Sequence, residues 1–241
     1  MTEVASSKDA NYNYIPKGYD IPNDHDYFHC TSNNTIFGTQ IKKFPVCEIP
    51  IVCDMSSDIF SRSLDFSKLG LIYAGAQKNM GPAGTTLVVV REDILGKVSR
   101  RIPSMMDYKV QISKGSMFNT PPVFAVYTSM LNLEWLKSKG GITAIEKENE
   151  KKAQLIYSEI DLNPLFDGFS AKADRSLMNA TFTLKNDNLK DTFDSMWQEA
   201  GIIGINGHRS VGGYRASMYN ALSLESVQVL VEIMSELERK A

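Results

Sequence analysis

The hydrophobic positions fall into two patterns along the chain. Up to Val90 they come as short apolar runs closed by turn-forming residues: Tyr27 to Thr31, Ile49 to Cys53, Leu69 to Tyr73 and Thr85 to Val90. Short apolar runs with such boundaries predict buried strands. From Thr120 onward the apolar residues recur at helical spacing. Thr120-Pro121-Pro122 makes a helix start, with threonine as cap and proline tolerated in the first turn. That helix is predicted to run to about Lys139 and to stop at Gly140-Gly141. Its apolar residues, from Val123 and Phe124 to Trp135 and Leu136, cover most of the circumference and predict a largely buried helix. Ile142, Ile145, Ala153, Ile156 and Ile160 mark a second helix with one apolar stripe, and the charge run from Glu146 to Lys152 reads as its solvated face. A strand over 178–184, a helix over 189–200, strands over 202–205 and 214–217, and a final helix from about Leu224 complete the order.

Two stretches lack a clear period. Thr2 to Ser7 reads as a short strand, followed by an aromatic, turn-rich loop over 11–19. Residues 97–118, with Pro103 and Gly115, read as a long functional loop, in which Met105, Met106 and Met117 fill gaps in the packing. The whole predicts an α/β protein divided at Gly140-Gly141. Residues 1–140 carry a mainly parallel sheet ending in a linking helix, and 141–241 form a smaller α/β sandwich.

Composition narrows the function classes. A chain of 241 residues holds one large or two modest cores. A net charge of −2 gives no electrostatic case for nucleic acid or an anionic membrane surface. No apolar run approaches the length of a membrane span, and the residues after Met1 show no secretory leader. Three cysteines without metal spacing and three histidines without an i, i+4 pair argue against a metal site and for a reduced, cytoplasmic setting.

The candidate chemistry centres on Tyr73-Ala74-Gly75-Ala76-Gln77-Lys78-Asn79-Met80-Gly81-Pro82-Ala83-Gly84. A single lysine sits here among small residues between two predicted strands. Poorly hydrated surroundings help a lysine lose its proton and act as a nucleophile. The same pattern also fits a glycine-rich hairpin with Lys78 in solvent. Asp54 stands where its strand should end, the place where ligands gather in open α/β sheets. An aspartate there and a lysine about two dozen positions on suit pyridoxal phosphate, which needs an imine-forming amine and a carboxylate on its pyridinium nitrogen. By itself Asp54 could equally cap a helix or form a turn.

Asp54-Met55-Ser56-Ser57, Ser61-Arg62, the lysine motif, Gly115 to Pro122, Gly207-His208-Arg209 and Gly212 to Ser217 together resemble the phosphoserine aminotransferases, a branch of the class V aminotransferases of fold-type I pyridoxal phosphate enzymes. The resemblance covers nearly the whole chain. It implies that Lys78 forms the Schiff base and carries the proton, that Asp54 partners the pyridinium, and that Thr35 and Gln77 lie near the cofactor, Gln77 at its phosphate. It implies that Asn119 and Thr120 are lent to a neighbouring subunit's phosphate across a homodimer. Arg215 then holds the substrate α-carboxylate, and His208 with Arg209 the phosphate of phosphoserine or the side chain of glutamate. Without the resemblance, His208-Arg209 is an exposed basic turn, Thr35 a turn hydroxyl, and Asn119 with Thr120 a helix cap.

The resemblance further implies a phosphate-cradling helix N-terminus and a ring-stacking aromatic that residues 1–30 do not display. A fragment that keeps the fold and dimer surface but is catalytically silent is therefore the competing expectation. A class V desulfurase or alanine–glyoxylate type enzyme is disfavoured, the desulfurase because Cys30, Cys47 and Cys53 lie in or beside predicted strands and not on a mobile loop.

Overall fold

The computed structural model describes residues 1–241. The apolar runs become strands β1 (Phe28–Thr31), β2 (Asn33–Asn34), β3 (Thr39–Gln40), β4 (Ile51–Asp54), β5 (Leu71–Gly75) and β6 (Thr86–Val90). Strands β2 and β3 form a small antiparallel corner, and the other four form one sheet in the order β1-β4-β5-β6. Strands β1, β4 and β5 are parallel, while β6 returns antiparallel to β5. Alternation along each strand sends Ile51 and Cys53 of β4 and Ile72 and Ala74 of β5 into one core, with Met55, Ile59, Leu69, Ala76 and Met80. It sends Thr31, Asp54 and Tyr73, which stand in register across three strands, to the opposite face.

Helices α1 (Tyr108–Ser113), α2 (Val123–Ser138) and α3 (Gly141–Leu162) follow, then β7 (Phe166–Gly168), β8 (Asn179–Leu184), α4 (Lys190–Glu199), β9 (Tyr214–Ser217) and α5 (Leu224–Lys240). Strands β7, β8 and β9 form a second, antiparallel sheet. Its core gathers Ile156 and Ile160 of α3, Phe193 and Trp197 of α4, and Val227, Leu230, Met234 and Leu237 of α5. Phe166 meets the Phe182 and Phe193 rings edge-on, and Phe193 meets Tyr214 the same way at 4.9 Å, an arrangement the ring quadrupoles favour.

Several expectations need correction. Residues 2–7 form no strand, and 202–205 run as an irregular flank on β9, where Ile205 O accepts from Arg215 N–H at 2.6 Å. The stretch 97–118 is not a bare loop, because it contains α1 and a short 3-10 turn at Ser104–Met106. Its methionines fill no gaps: Met105, Met106 and Met117 are all exposed. Helix α2 starts three residues after Thr120, with Pro122 at its cap position and no side-chain cap bond. It is not largely buried either. Only Ala125 and Leu136 are enclosed, and Val123 and Phe124 are 67% and 76% exposed. The charge run on α3 is only partly a solvated face, since Asn149 and Lys152 are buried. No helix is long and apolar enough to cross a membrane.

The β2–β3 corner is one of the places where the two sheets are joined. Ser170 Oγ and Thr181 Oγ1 donate to Phe37 O at 2.8 and 3.0 Å, and Asn33 Nδ2 donates to Asn179 Oδ1 at 2.9 Å. These buried bonds seat the corner on β8, beside β9, and so bring Thr35 to Arg215.

Candidate active site

Lys78 lies in the turn connecting β5 and β6. The local geometry is therefore a hairpin, as the plainer reading of the motif had it, but the lysine does not stand free in solvent. Its side chain is half-buried, and Nζ donates to Thr35 Oγ1 at 2.9 Å. Thr35 also receives Arg215, whose Nη1 lies 3.5 Å from Thr35 O. The ammonium and the guanidinium thus meet on one threonine, with no carboxylate between them. Arg215 Nε is buried and has no partner. A buried donor left unpaired costs roughly 1–3 kcal/mol.

Asp54 is the last residue of β4, half-buried, and its Oδ1 accepts from Ser56 N–H at 2.9 Å. That bond is the turn contact expected of an Asp after a strand, and it leaves the rest of the carboxylate available. Ser56 Oγ in turn accepts from Gly75 N–H at 3.1 Å, tying the end of β4 to the end of β5. Tyr73 stands opposite Asp54, and burial, followed by the Asp54 charge, pushes its hydroxyl up. His29 Nε2 lies 3.0 Å from that hydroxyl. Gln77 is exposed and its side chain folds over Gly75, where a Cβ would lie 2.5 Å from Oε1.

His208 and Arg215 line one small cleft with Ile36, Thr181 and Tyr214. His208 is held by Ser210, with Nδ1 2.6 Å from Oγ. Arg209 is exposed nearby. Asn119 and Thr120 are not brought to this cluster by the chain's own fold. Both are exposed, and Asn119 Nδ2 reaches only Thr120 O, at 3.2 Å.

Sequence reasoning missed the polar layer beneath the site. Ser32 Oγ donates to Asp54 O at 3.1 Å and to the Asp58 carboxylate. Asp58 is completely buried and also accepts from Gln40 Nε2 at 3.1 Å and Arg62 Nη2 at 3.4 Å. Burial pushes Asp58 up, and the Arg62 charge opposes that. On the other side, Lys152 Nζ donates to Met218 O, Tyr219 O and Leu222 O at 3.0–3.2 Å. Burial lowers Lys152 to about 8, while three carbonyl oxygens favour its charged form. A signal for this was present: Asn149 and Lys152 fall on the helical stripe of Ile145, Ile156 and Ile160.

The model of the family described as "Aminotransferase class-V" matches residues 12–230. Among curated proteins, a phosphoserine aminotransferase of Flavobacterium psychrophilum is 69% identical over 98% of this chain and 67% of its own length. Among solved structures, phosphoserine aminotransferase from Bacillus circulans subsp. alkalophilus superposes with a TM-score of 0.94 at 42% identity, over 98% of this chain and 67% of that one. The pyridoxal phosphate-bound enzyme of Trichomonas vaginalis gives 0.88 at 36% identity, over 94% and 65%. A mixed sheet, a separate antiparallel sheet and a lysine in the turn after a parallel strand define a fold-type I aminotransferase of class V. The chain belongs, within that class, to the phosphoserine aminotransferase family. It spans about two thirds of the length of the relatives it matches.

Proposed function

We propose that the chain transfers an amino group between phosphoserine and 2-oxoglutarate, giving 3-phosphohydroxypyruvate and glutamate, with pyridoxal phosphate as cofactor. The observation that carries this reading is the meeting of Lys78 and Arg215 on Thr35, at the end of the sheet where Asp54 closes β4. The donor set suits the cofactor: an amine paired only with a hydroxyl, a carboxylate with free capacity at a strand end, and an orphaned buried guanidinium N–H.

Pyridoxal phosphate, when bound, supplies an electron sink for the pair left at the substrate α-carbon. Lys78 Nζ would hold the cofactor through its amine and would take and return the substrate α-proton as general base and acid. Thr35 Oγ1 orients that amine. Asp54 would hold the pyridine nitrogen in its protonated form by a charge-assisted bond of roughly 1.5–3 kcal/mol. Arg215 clamps the α-carboxylate in a planar, two-pronged contact, and His208 with Arg209 receives the phosphate or the distal carboxylate. Gln77 reaches the cofactor phosphate.

Asn119 and Thr120, exposed and without a role in this chain's own fold, serve a neighbouring subunit. The apolar surface around them, Phe118, Val123, Phe124, Tyr127 and Met130, suits burial against a second copy. A homodimer with shared sites follows. The reading further assigns residues 1–140 to a cofactor-binding domain and 141–241 to a smaller one, in a cytoplasmic protein.

Borohydride reduction after loading with pyridoxal phosphate, followed by peptide mapping, tests the central assignment. The pyridoxyl group is expected on Lys78. Labelling at another lysine with Lys78 free overturns it.

A further inference from the structure

Beneath the Lys78 turn, three consecutive carbonyls are each received by a different asparagine. Ile59 O accepts from Asn79 Nδ2 at 3.1 Å, Phe60 O from Asn220 Nδ2 at 3.0 Å, and Ser61 O from Asn149 Nδ2 at 3.0 Å. All three asparagines are buried. They also bind one another, through Asn220 N–H to Asn79 Oδ1 at 3.0 Å and Asn149 Nδ2 to Asn220 Oδ1 at 2.9 Å. The central carbonyl belongs to Phe60, whose φ of 58° is left-handed. A non-glycine residue holds that conformation only where its surroundings over-determine it.

Two of the asparagines adjoin different parts of the site, and Asn149 of α3 binds between Asn220 and Ser61 O. Asn79 adjoins Lys78, and its own carbonyl is held by Asn132 Nδ2 of α2 at 3.0 Å. Asn220 lies five residues after Arg215, in the turn leaving β9. That turn is pinned by the Lys152 ammonium on its Met218, Tyr219 and Leu222 carbonyls. Ile59 to Ser61 continue the turn begun at Asp54, through Ile59 N–H to Met55 O at 2.9 Å. The amide cluster is thus a buried junction shared by the segments carrying Asp54, Lys78 and Arg215. None of its members reaches the solvent cleft, so its effect must pass through the residues it holds.

We propose that Asn79, Asn149 and Asn220, clamped on the Ile59–Ser61 turn, are positioning residues that set Lys78 and Arg215 at a fixed separation above Asp54. This inference rests on the assignment of Lys78 as the proton carrier. Of the cluster's side-chain amide atoms only Asn149 Oδ1 is buried without a partner, and any shift leaves further desolvated donors or acceptors unpaired, which favours one arrangement. Proton transfer from a substrate clamped by Arg215 to Lys78 needs that precision, since a misplacement of about 1 Å costs on the order of 10²-fold in rate.

The test uses the full chain carrying Asn149→Ala or Asn220→Ala, with Asn163→Ala as a control for buried-amide loss. Asn163 Nδ2 donates to Met234 O at 3.1 Å, apart from the amide junction. Hydrogen exchange is expected to accelerate over 76–81 in Asn149→Ala, although Asn149 does not bond that turn, and to stay unchanged there in Asn163→Ala. In the cofactor-loaded protein, kcat is expected to fall on the order of 10²-fold, with a raised isotope effect from α-deuterated glutamate and a KM changed far less. Mere destabilisation lowers the active fraction and leaves the isotope effect alone. Unchanged exchange over 76–81 in Asn149→Ala overturns the proposal, as does a rate loss matching Asn163→Ala with the same isotope effect. Borohydride labelling of the unsubstituted chain away from Lys78 overturns the assignment underneath it as well, which separates the two failures.

Discussion

The two sheets bury their surroundings to very different degrees. Around β7, β8 and β9, three helices enclose a core of 19 buried apolar residues. Around β1, β4, β5 and β6 the corresponding core has nine, and helix α2, which covers that region, leaves most of its apolar side chains in solvent. The first unit closes on itself. The second offers an apolar surface that needs a neighbour, and Lys78 and Asp54, the residues proposed for imine and pyridinium chemistry, belong to it. Arg215, in the closed unit, meets Lys78 only through Thr35. The site is therefore assembled on a boundary between a self-sufficient half and a dependent one, and substitutions on the two sides should fail differently.

On the dependent side the largest effect belongs to the lysine. Lys78→Ala should leave the secondary structure intact by circular dichroism and remove transamination by on the order of 10⁴-fold or more, the upper range for losing a positioned acid–base group. A variant that kept near-normal turnover in a coupled glutamate assay would place the chemistry elsewhere. Asp54→Asn comes next. It preserves the turn contact with Ser56 N–H but removes the charge. A contact of roughly 1.5–3 kcal/mol translates into a loss of about 10- to 150-fold. Binding of pyridoxal phosphate, followed by absorbance, should weaken by a similar factor.

The contrast in burial gives the third expectation, and it has two arms. Phe182 is 1% exposed in the closed core, so Phe182→Ala should cost about 3–5 kcal/mol in denaturant unfolding. Phe124 is 76% exposed on α2, so Phe124→Ser should change the stability of the isolated chain by less than about 0.5 kcal/mol. It should instead lower self-association in sedimentation velocity. Equal destabilisation by the two substitutions would show that the halves are not different in kind.

How these halves read in the sequence follows from the same contrast. Lys78 and Asp54 stood out as candidates because a lone lysine among glycines and an aspartate ending an apolar run both depart from background. Strand β9 and helix α5 were legible because their apolar positions face a core within the chain. Helix α2 was misjudged because periodicity records that a face is apolar, not which molecule covers it. Asn149 and Lys152 were misjudged because a charged stretch was weighed by composition, although their spacing placed them on the buried stripe. The stretch 202–205 had the apolar residues of a strand, but Gly201 and Gly204, both at positive φ, break its extended run. Strand β7, only three residues long, carried too little pattern to register.

The smallest expected effect concerns the closed half alone and sharpens the comparison by pH. Asp161 on α3 accepts from Arg175 Nη1 and Nη2 at 3.0 and 2.7 Å and pairs with Lys172 at 3.0 Å. The Arg175 bonds, then those of Lys172, bring its carboxyl down to about 2. The folded value lies below the unfolded one of about 3.9, so the unfolded chain binds more protons in the interval between them. Stability from this group is therefore complete above about pH 4 and is lost as pH falls toward 2. The pairs are partly solvated, with Asp161 28% exposed, which limits each contribution to roughly 0.2–1 kcal/mol. Asp161→Asn should accordingly flatten the acid limb of the unfolding curve without moving the midpoint at neutral pH by more than that amount. An acid limb identical in the variant would mean that Asp161 does not link pH to the closed core.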